Sequence, residues 1–316
     1  MRQAALLYNP DSGRKAARRH NQLESALSIL RAAGVGANLV STESPAHSGE
    51  QARRAVQSGC DTVFACGGDG TIHNIVQVLA NTKTALAILP MGTANALAHD
   101  LALPMSVPGA ARAALQAKPR RVALGRIQCA GMNGEPLSRF FVVAAGLGVD
   151  AHLFYKLATG FKRRMGMRAY YAKAWQLWFS HIMTRFRIEL TVSDSKETNS
   201  ADVTELLAVR IRNFGGVLRE LAPGASLDRN DLRVVYCETA SRMAYLLYVA
   251  RGLLGVNWNI PGIQLASAER ALCSYLPAEA GKEPARKIYV EADGELVGTL
   301  PAEMTVAPDA LTLLVP

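Results

Sequence analysis

The 316-residue sequence lacks the features that mark several large classes of protein. Its five cysteines form no CxxC pair and its six histidines show no ligand spacing such as HExxH, which argues against a disulfide framework and a zinc site. No stretch approaches the roughly 20 apolar residues that a membrane-spanning helix needs, because the longest candidate, Met243 to Leu254, is interrupted by Arg251. The apolar run before Asn9 is too short for a signal-peptide core, so we expect a cytoplasmic protein.

Acidic residues are missing from one long stretch, 151–188, which carries eight lysines and arginines in a chain of net charge +9. Such charge suggests phosphates, nucleic acid or an anionic membrane surface as partners, and nucleic acid ranks lowest because the stretch contains no known nucleic-acid-binding motif. A helix is predicted at 167–183, with Tyr171, Trp175 and Trp178 on one face. That face either lies at an anionic bilayer, which would make the protein peripheral to the membrane, or packs into a core.

The hydrophobic share of 49% excludes intrinsic disorder of the whole chain, and the length predicts two domains. In the first third, apolar runs alternate with segments of helical spacing, such as Leu23, Ala26, Leu27 and Leu30. This pattern predicts strands at 4–8, 37–40, 61–66 and 85–89, with helices at 15–33, 48–58, 71–80 and 94–101. We therefore expect an α/β domain over 1–120, with a mostly parallel sheet covered by helices on both faces.

Short β-like runs separated by turn residues dominate the rest of the chain. They predict strands at 121–124, 140–144, 187–192, 206–211, 232–237 and 287–291, a second helix at 240–254 and an exposed hairpin connection at 193–202. We expect an antiparallel β-rich domain with inserted helices over 121–302, and leave open whether the tail 303–316 returns to the first domain.

The strongest chemical signal is the GGDGT sequence at 67–71, which follows a buried strand and opens a helix. Glycines let backbone N–H groups approach phosphate oxygens, and the helix dipole favours the negative charge. Asp69 would repel a phosphate unless it held Mg²⁺ or accepted a proton. The alternative is a tight strand–helix turn in which Asp69 is a cap.

Two further loops are predicted at the same edge of the sheet, where the carboxyl ends of parallel strands bind ligands. One is 89–95, with the sequence LPMGTAN. The other is 9–15, where Ser12 and backbone donors accompany Arg14 and Lys15, which can neutralise a phosphate. Each loop alone could be an ordinary turn, but three at one edge favour a phosphate-binding site.

NPDSG at 9–13, GGDGT at 67–71 and GTAN at 92–95 resemble, in this order, the diacylglycerol kinase catalytic-domain family of lipid kinases, which includes sphingosine and ceramide kinases. The segments AGLGVDA at 145–151 and DGE at 293–295 extend the resemblance over nearly the whole chain. It implies a nucleotide-binding kinase domain of Rossmann- or phosphofructokinase-like fold over 1–120 and a lipid-substrate domain of β-sandwich fold over 121–302. The activity that it implies is ATP- and Mg²⁺-dependent phosphorylation of a lipid hydroxyl.

The resemblance also implies a role for individual residues. The ATP-binding set comprises Asn9, Ser12, Gly13, Arg14, Lys15, Thr42, Gly67, Gly68, Asp69, Gly70, Thr71, Thr93 and Asn95. Glu295 would be the general base, and Asp69 and Asp293 would organise Mg²⁺ and the phosphates. Gly146, Gly148 and Asp150 would face the lipid substrate, with Asp150 equally suited to cap a helix.

Three departures from the family pattern concern Ala96, Ala123 and Arg229. Ala96 stands where many bacterial diacylglycerol kinases have aspartate, and Ala123 where the family often has an acid. Arg229-Asn230 stands where bacterial members have an Asp-Gly pair that helps to seat a structural Mg²⁺, so Asp228 or Asp231 would have to substitute.

The departures leave two alternatives to a lipid kinase. One is a member that binds nucleotide or lipid without turnover, and the other is a kinase of a soluble hydroxyl, similar to NAD kinases. The sequence names neither the acceptor lipid, diacylglycerol-like or sphingoid-like, nor the oligomeric state, and a homodimer stays open.

Overall fold

The computed structural model describes residues 1–9, 16–42, 44–149, 183–192, 198–215, 220–256, 258–276 and 286–316. The chain forms two compact units. Unit 1 comprises Met1–Leu124, Asn213–Val217 and Ala307–Pro316, and unit 2 comprises Gly125–Arg212 and Leu218–Val306. Residues 10–15 and 150–182 lie outside the described residues, and with them Ser12, Gly13, Arg14, Lys15, Asp150 and the helix predicted at 167–183.

Unit 1 is built on a parallel sheet of four strands: β1 Gln3–Tyr8, β2 Gly36–Ser41, β3 Thr62–Gly67 and β4 Ala85–Pro90. They lie in the order β4-β3-β1-β2, and the end of β15, Glu295–Val315, pairs in parallel with β4 through Thr312 and Leu313. Every residue of β3 and β4 is buried, as expected of parallel strands covered on both faces.

Five helices accompany this sheet: α1 Ala16–Ala32, α2 Pro45–Gln57, α3 Asp69–Leu79, α4 Ala96–Asp100 and α5 Val107–Gln116. The apolar stripe of α1 enters a core cluster with Phe64, Leu89 and the inner face of α5. Helices α2 and α3 pack on each other and contact β1 and β3. Helix α5 was not predicted, because its buried face is mostly alanine and gives little hydrophobic contrast.

Unit 2 contains the remaining strands and one described helix. The strands are β5 Lys118–Gly131, which begins in unit 1, β6 Pro136–Phe141, β7 Ala144–Gly148, β8 Phe186–Thr191, β9 Thr198–Val203, β10 Glu205–Val209, β11 Leu232–Cys237, β12 Ile263–Ala268, β13 Arg270–Ser274, β14 Tyr289–Ala292 and most of β15. Helix α6 is Arg242–Leu254. One ladder runs β12-β11-β10-β7-β14-β15 and another runs β15-β13-β8-β9. Their side chains share one core, so the predicted combination of an α/β unit and a β-sandwich unit is confirmed.

One predicted connection is wrong in part. Residues 198–202, expected in an exposed hairpin connection, belong to β9, which pairs antiparallel with β8 from Thr198↔Thr191 to Val203↔Phe186. The polar sequence is accommodated because Val203 is buried while Asp202 forms an ion pair with Arg187 (2.9 Å) on the outer face. In the described part of the chain, no helix is long and apolar enough to cross a membrane.

Candidate functional site

The GGDGT turn joins the end of β3 to the first turn of α3 in unit 1. Gly68 precedes the helix in an extended conformation, and its carbonyl accepts the N–H groups of Thr71 and Ile72 (3.0 and 3.2 Å). A Cβ atom on Gly67 would lie 2.4 Å from the Thr71 hydroxyl oxygen, so the turn closes only around glycine. The half-exposed residues 68–71 therefore present the N-terminus of an 11-residue helix to solvent.

The GTAN turn after β4 packs directly on the GGDGT turn. A Cβ atom on Gly92 would lie 2.4 Å from the Gly68 Cα, and one on Gly68 would lie 3.0 Å from the Gly92 Cα. The Met91 N–H also donates to the Gly67 carbonyl (3.0 Å). The two predicted phosphate loops thus meet backbone to backbone, and the absence of side chains keeps this edge open to a ligand.

Asn95 closes the GTAN turn rather than pointing to a ligand. It has a left-handed conformation (φ 52°, ψ 46°) and is buried, and its side-chain amide both accepts from the Gly92 N–H (2.8 Å) and donates to the Gly92 carbonyl (3.1 Å). These bonds favour a positioning role for Asn95 over the predicted ATP contact, which stays a prediction. Thr93, between these residues, is exposed and remains a candidate ligand contact.

Thr42 also has a structural partner. Its hydroxyl and its N–H both donate to the carbonyl of Tyr8 (3.2 and 2.7 Å), and the residue is buried. This pair ties the end of β2 to the end of β1, so Thr42 supports the sheet edge, and its nucleotide contact stays a prediction. Asn9 follows Tyr8 directly and is half-buried at this end of β1.

Arg19 is a residue of this edge that the sequence analysis left out of the candidate site. One of its guanidinium nitrogens donates to the main-chain oxygen of Met91 (2.9 Å), so α1 brings a positive charge to the GTAN turn. The available sequence signal was its position close to Arg14 and Lys15, the two basic residues of the loop at 9–15. Because a guanidinium is a fork of five donors, it suits phosphate as well as a carbonyl.

Asp69 is the first residue of α3 and is half-exposed at the open edge. Among the described residues, no group of three His, Cys, Asp or Glu side chains could hold a metal ion. Mg²⁺ is commonly held by one or two carboxylates together with substrate phosphates, so a single carboxylate beside a phosphate loop fits that cation.

In unit 2, the DGE sequence forms the hairpin turn between β14 and β15. Asp293 and Gly294 have positive φ angles (50° and 79°), as a two-residue hairpin turn requires. The buried Asp293 carboxylate accepts the N–H groups of Val142, Val143 and Ala144 at 2.8–3.2 Å. These bonds use most of the carboxylate's acceptor capacity, so they favour an anchoring role over the predicted metal role.

Glu295 is half-exposed at the first position of β15, directly after this anchored turn. Two acidic neighbours were missed by the sequence analysis: the buried Glu291 accepts the Gly294 N–H (2.8 Å), and the buried Glu205 accepts the Val149 N–H (2.7 Å). Glu291 lay at the end of a predicted strand beside DGE, which was the available signal. Of these three acidic side chains, Glu295 is therefore the one that is accessible to solvent.

Gly146 and Gly148, for which a lipid contact stays a prediction, have a packing role in unit 2. Both are buried in β7, between β10 and β14. A Cβ atom on Gly146 would lie 3.1 Å from a carboxylate oxygen of Glu291, and one on Gly148, whose φ is 108°, would lie 2.3 Å from the Thr204 carbonyl. The glycines are thus needed for close packing within unit 2 itself.

The residues at 227–231 do not fit the structural Mg²⁺ that the family resemblance suggested. The Arg229 side chain pairs with both carboxylate oxygens of Asp231, with 2.6 Å from Nε to Oδ1. The buried guanidinium of Arg210 donates to the main-chain oxygens of Leu227 (3.3 Å), Arg229 (2.7 Å) and Asp231 (2.6 Å).

Burial lowers the pKa of Arg210 to about 10, against the opposing influence of Asp231, so this side chain is still a cation at neutral pH. A guanidinium therefore lies where carbonyl oxygens converge, and the Asp231 carboxylate is engaged by Arg229. These contacts disfavour a metal-ligand role for Asp231, and the role predicted for Asp228 stays a prediction.

Comparison with known proteins places this geometry in a family. Residues 3–127 match the model of the diacylglycerol kinase catalytic domain, and residues 142–315 match that of the YegS C-terminal NAD kinase beta sandwich-like domain. The chain belongs to the family defined by the YegS C-terminal domain, which covers more than half of it, and its residues 3–127 match the diacylglycerol kinase catalytic domain. Its predicted recognition is confirmed, and the two matches follow the α/β and β-sandwich units.

Two curated relatives are the diacylglycerol kinases of Bacillus subtilis strain 168 and Staphylococcus epidermidis strain RP62A, each 27% identical to this chain. The first alignment covers 96% of this chain and 93% of the Bacillus subtilis relative. The second covers 95% of this chain and 88% of the Staphylococcus epidermidis relative. A crystal structure of a diacylglycerol kinase from Bacillus anthracis strain Sterne has the same fold, with a TM-score of 0.71 at 17% identity, and covers 100% of this chain and 97% of its own.

Proposed function

We propose that this member of a kinase family transfers the γ-phosphoryl group of ATP to a hydroxyl of a membrane lipid, either diacylglycerol-like or sphingoid-like. The observation that carries the proposal is the contact between Gly68 and Gly92, which leaves an open backbone edge at the N-terminus of α3. Such an edge suits phosphate, and the relatives that match over nearly the whole chain are named diacylglycerol kinases.

On the nucleotide side, the α3 N-terminus and the GGDGT backbone bind the phosphates. Thr93 and Arg19 add contacts from the GTAN turn and from α1, and the family resemblance adds the loop at 9–15. Asp69 would hold Mg²⁺ together with the phosphates, and that cation would neutralise charge on the phosphate oxygens. Asn95 and Thr42 act indirectly, because they hold the turns and strand ends from which these contacts project.

On the acceptor side, Glu295 takes the proton of the lipid hydroxyl as general base. The hydroxyl oxygen forms the new bond to the γ-phosphorus, the bond from that phosphorus to the bridging oxygen breaks, and ADP leaves. Asp293 is a positioning residue, because its three backbone hydrogen bonds fix the turn that immediately precedes Glu295. Glu291 supports the same turn through the Gly294 N–H.

A second candidate is a family member that binds nucleotide or lipid without turnover. The specific observation in its favour is the replacement of the expected metal-binding pair by Arg229, together with alanine at positions 96 and 123. This candidate predicts ATP binding with no labelled product.

A transfer assay with radiolabelled ATP, mixed micelles of total membrane lipid and added Mg²⁺ tests the proposal. We expect an organic-extractable labelled product, and its loss in Asp69→Asn and Glu295→Gln. Glu135→Gln, which removes an exposed carboxylate in the β5–β6 turn, is the matched control and should keep full activity. Full activity of both site variants would overturn the residue assignment, and ATP binding without any product would favour the second candidate.

A further inference from the structure

Helix α6 of unit 2 has apolar residues on both of its faces. Its inner face is buried through Ala244, Tyr245, Tyr248 and Gly252, and Tyr245 forms a hydrogen bond to the Thr204 hydroxyl (2.8 Å between oxygens). Its outer face carries Met243, Leu247 and Leu254, of which Met243 is 63% and Leu254 65% exposed. A helix on a protein surface normally presents polar residues to water, whereas this outer face presents apolar ones.

Exposed apolar residues are concentrated here. Of the ten large hydrophobic side chains that are exposed in the described part of the chain, seven lie within 243–258: Met243, Leu247, Val249, Leu253, Leu254, Val256 and Trp258. Isolated exposed apolar residues are ordinary, whereas a concentration of this kind marks a surface that meets another apolar phase. We refer to these seven residues as the α6 patch.

The charged residues of the segment 241–268 are all positive. No aspartate or glutamate occurs from 241 to 268, and Arg242 and Arg251 lie on the two sides of the outer face of α6. Arg251 packs over the Tyr248 ring (5.1 Å to its centroid) and donates to the Leu221 carbonyl (3.2 Å), which fixes it beside the patch. Arg251 and Trp258 also line the same cavity, which has a volume of about 560 Å³, and Arg251 is its charged lining residue.

We propose that the α6 patch is a docking surface for an anionic lipid bilayer, with α6 lying in the interface rather than crossing it. A 13-residue helix is only about 20 Å long, which is too short to span the hydrocarbon core. Leu, Met and Val side chains would enter the acyl boundary, Trp258 suits the headgroup level, and the flanking arginines meet lipid phosphates.

A second copy of the chain fits the patch less well than a bilayer does. A two-fold interface brings each patch against itself, so the positive charges of Arg242 and Arg251 on the two copies would approach one another, which opposes association. An anionic bilayer supplies both the apolar phase and the negative charge. The inference rests on the proposed function in one respect, which is that a lipid kinase must reach a membrane.

Vesicle flotation without ATP tests the docking surface directly. We compare vesicles of equimolar phosphatidylglycerol and phosphatidylcholine with pure phosphatidylcholine vesicles. Leu247→Ser combined with Leu254→Ser should weaken binding to the anionic vesicles by about tenfold or more, because two leucines no longer enter the apolar boundary. Arg242→Gln should weaken it by roughly fivefold. The matched control is Met105→Ser combined with Met132→Ser, which removes two similarly exposed apolar residues outside the patch and should bind like the wild type.

Three outcomes would overturn the inference. The wild type could fail to bind anionic vesicles. It could bind them with no difference between the leucine and methionine double variants, which would favour another surface such as 151–188. Lastly, sedimentation without lipid could show a dimer that the leucine variant dissociates, while neither protein binds vesicles. Because flotation needs no turnover, a protein that binds vesicles but phosphorylates no lipid would refute the kinase proposal and leave the docking surface standing.

Discussion

Replacing Arg210 with methionine removes the cation at the centre of the 227–231 segment and keeps a long unbranched side chain. The native guanidinium is almost fully buried and donates to three main-chain oxygens, those of Leu227, Arg229 and Asp231. In the variant those carbonyl groups stay buried without this donor. The substitution therefore tests whether an arginine, rather than a divalent cation, holds this part of unit 2 together.

The expected loss of stability follows from two opposing contributions. A hydrogen bond from a charged donor contributes about 1.5–3 kcal/mol, so three such bonds give roughly 5–9 kcal/mol. Burying the guanidinium opposes this by several kcal/mol, as its lowered pKa indicates. We expect a net decrease of about 3–5 kcal/mol in the free energy of unfolding of Arg210→Met, the range found when one partner of a buried charged contact is removed.

Urea unfolding followed by circular dichroism, in buffer with Mg²⁺ and in buffer with EDTA, measures both effects. The wild type should unfold at the same urea concentration in both buffers. Arg187→Met, which removes a surface ion pair with Asp202, is the control and should cost less than about 1 kcal/mol. A wild type that loses several kcal/mol in EDTA, together with a stable Arg210→Met variant, would show that a metal holds the segment and that this account is wrong.

Three further predictions concern the two turns of unit 1 and the hairpin of unit 2. Gly92→Ala would place a Cβ atom 2.4 Å from the Gly68 Cα, so it should weaken ATP binding at least tenfold in calorimetry. Gly68→Ala would place a Cβ atom 3.0 Å from the Gly92 Cα and should weaken binding less. Equal effects of the two variants would contradict the packing argument. Asp293→Asn keeps a residue that tolerates the left-handed conformation but removes the negative charge of the hydrogen-bond acceptor. The free energy of unfolding should therefore fall by about 2–4 kcal/mol. The kcat should also fall, while the affinity for ATP stays unchanged. Arg19→Gln should raise the Kd for ATP about tenfold without lowering the thermal midpoint by more than a few degrees, and an unchanged Kd would remove Arg19 from the site.

The parts of this protein that local sequence determines were predicted well. The strands of unit 1 and the helices between them follow from periodicity, and the GGDGT and GTAN turns lie where a buried strand gives way to a helix. The Asp293-Gly294 hairpin is equally local, because two consecutive positive φ angles select those residue types. Helix α5 escaped prediction for the converse reason, since alanine gives a buried face with little contrast.

Only the tertiary structure decided what individual polar side chains do. Asp293 reaches the backbone of residues about 150 positions earlier, Arg19 reaches Met91, and Arg210 meets carbonyl groups about 20 positions later. Motif resemblance assigned Asp293, Asn95 and Thr42 to ligands because it records residue type and order, not hydrogen-bond partners. A buried polar group must satisfy its donors and acceptors wherever the fold brings a partner, and that partner is set by packing between segments distant in sequence.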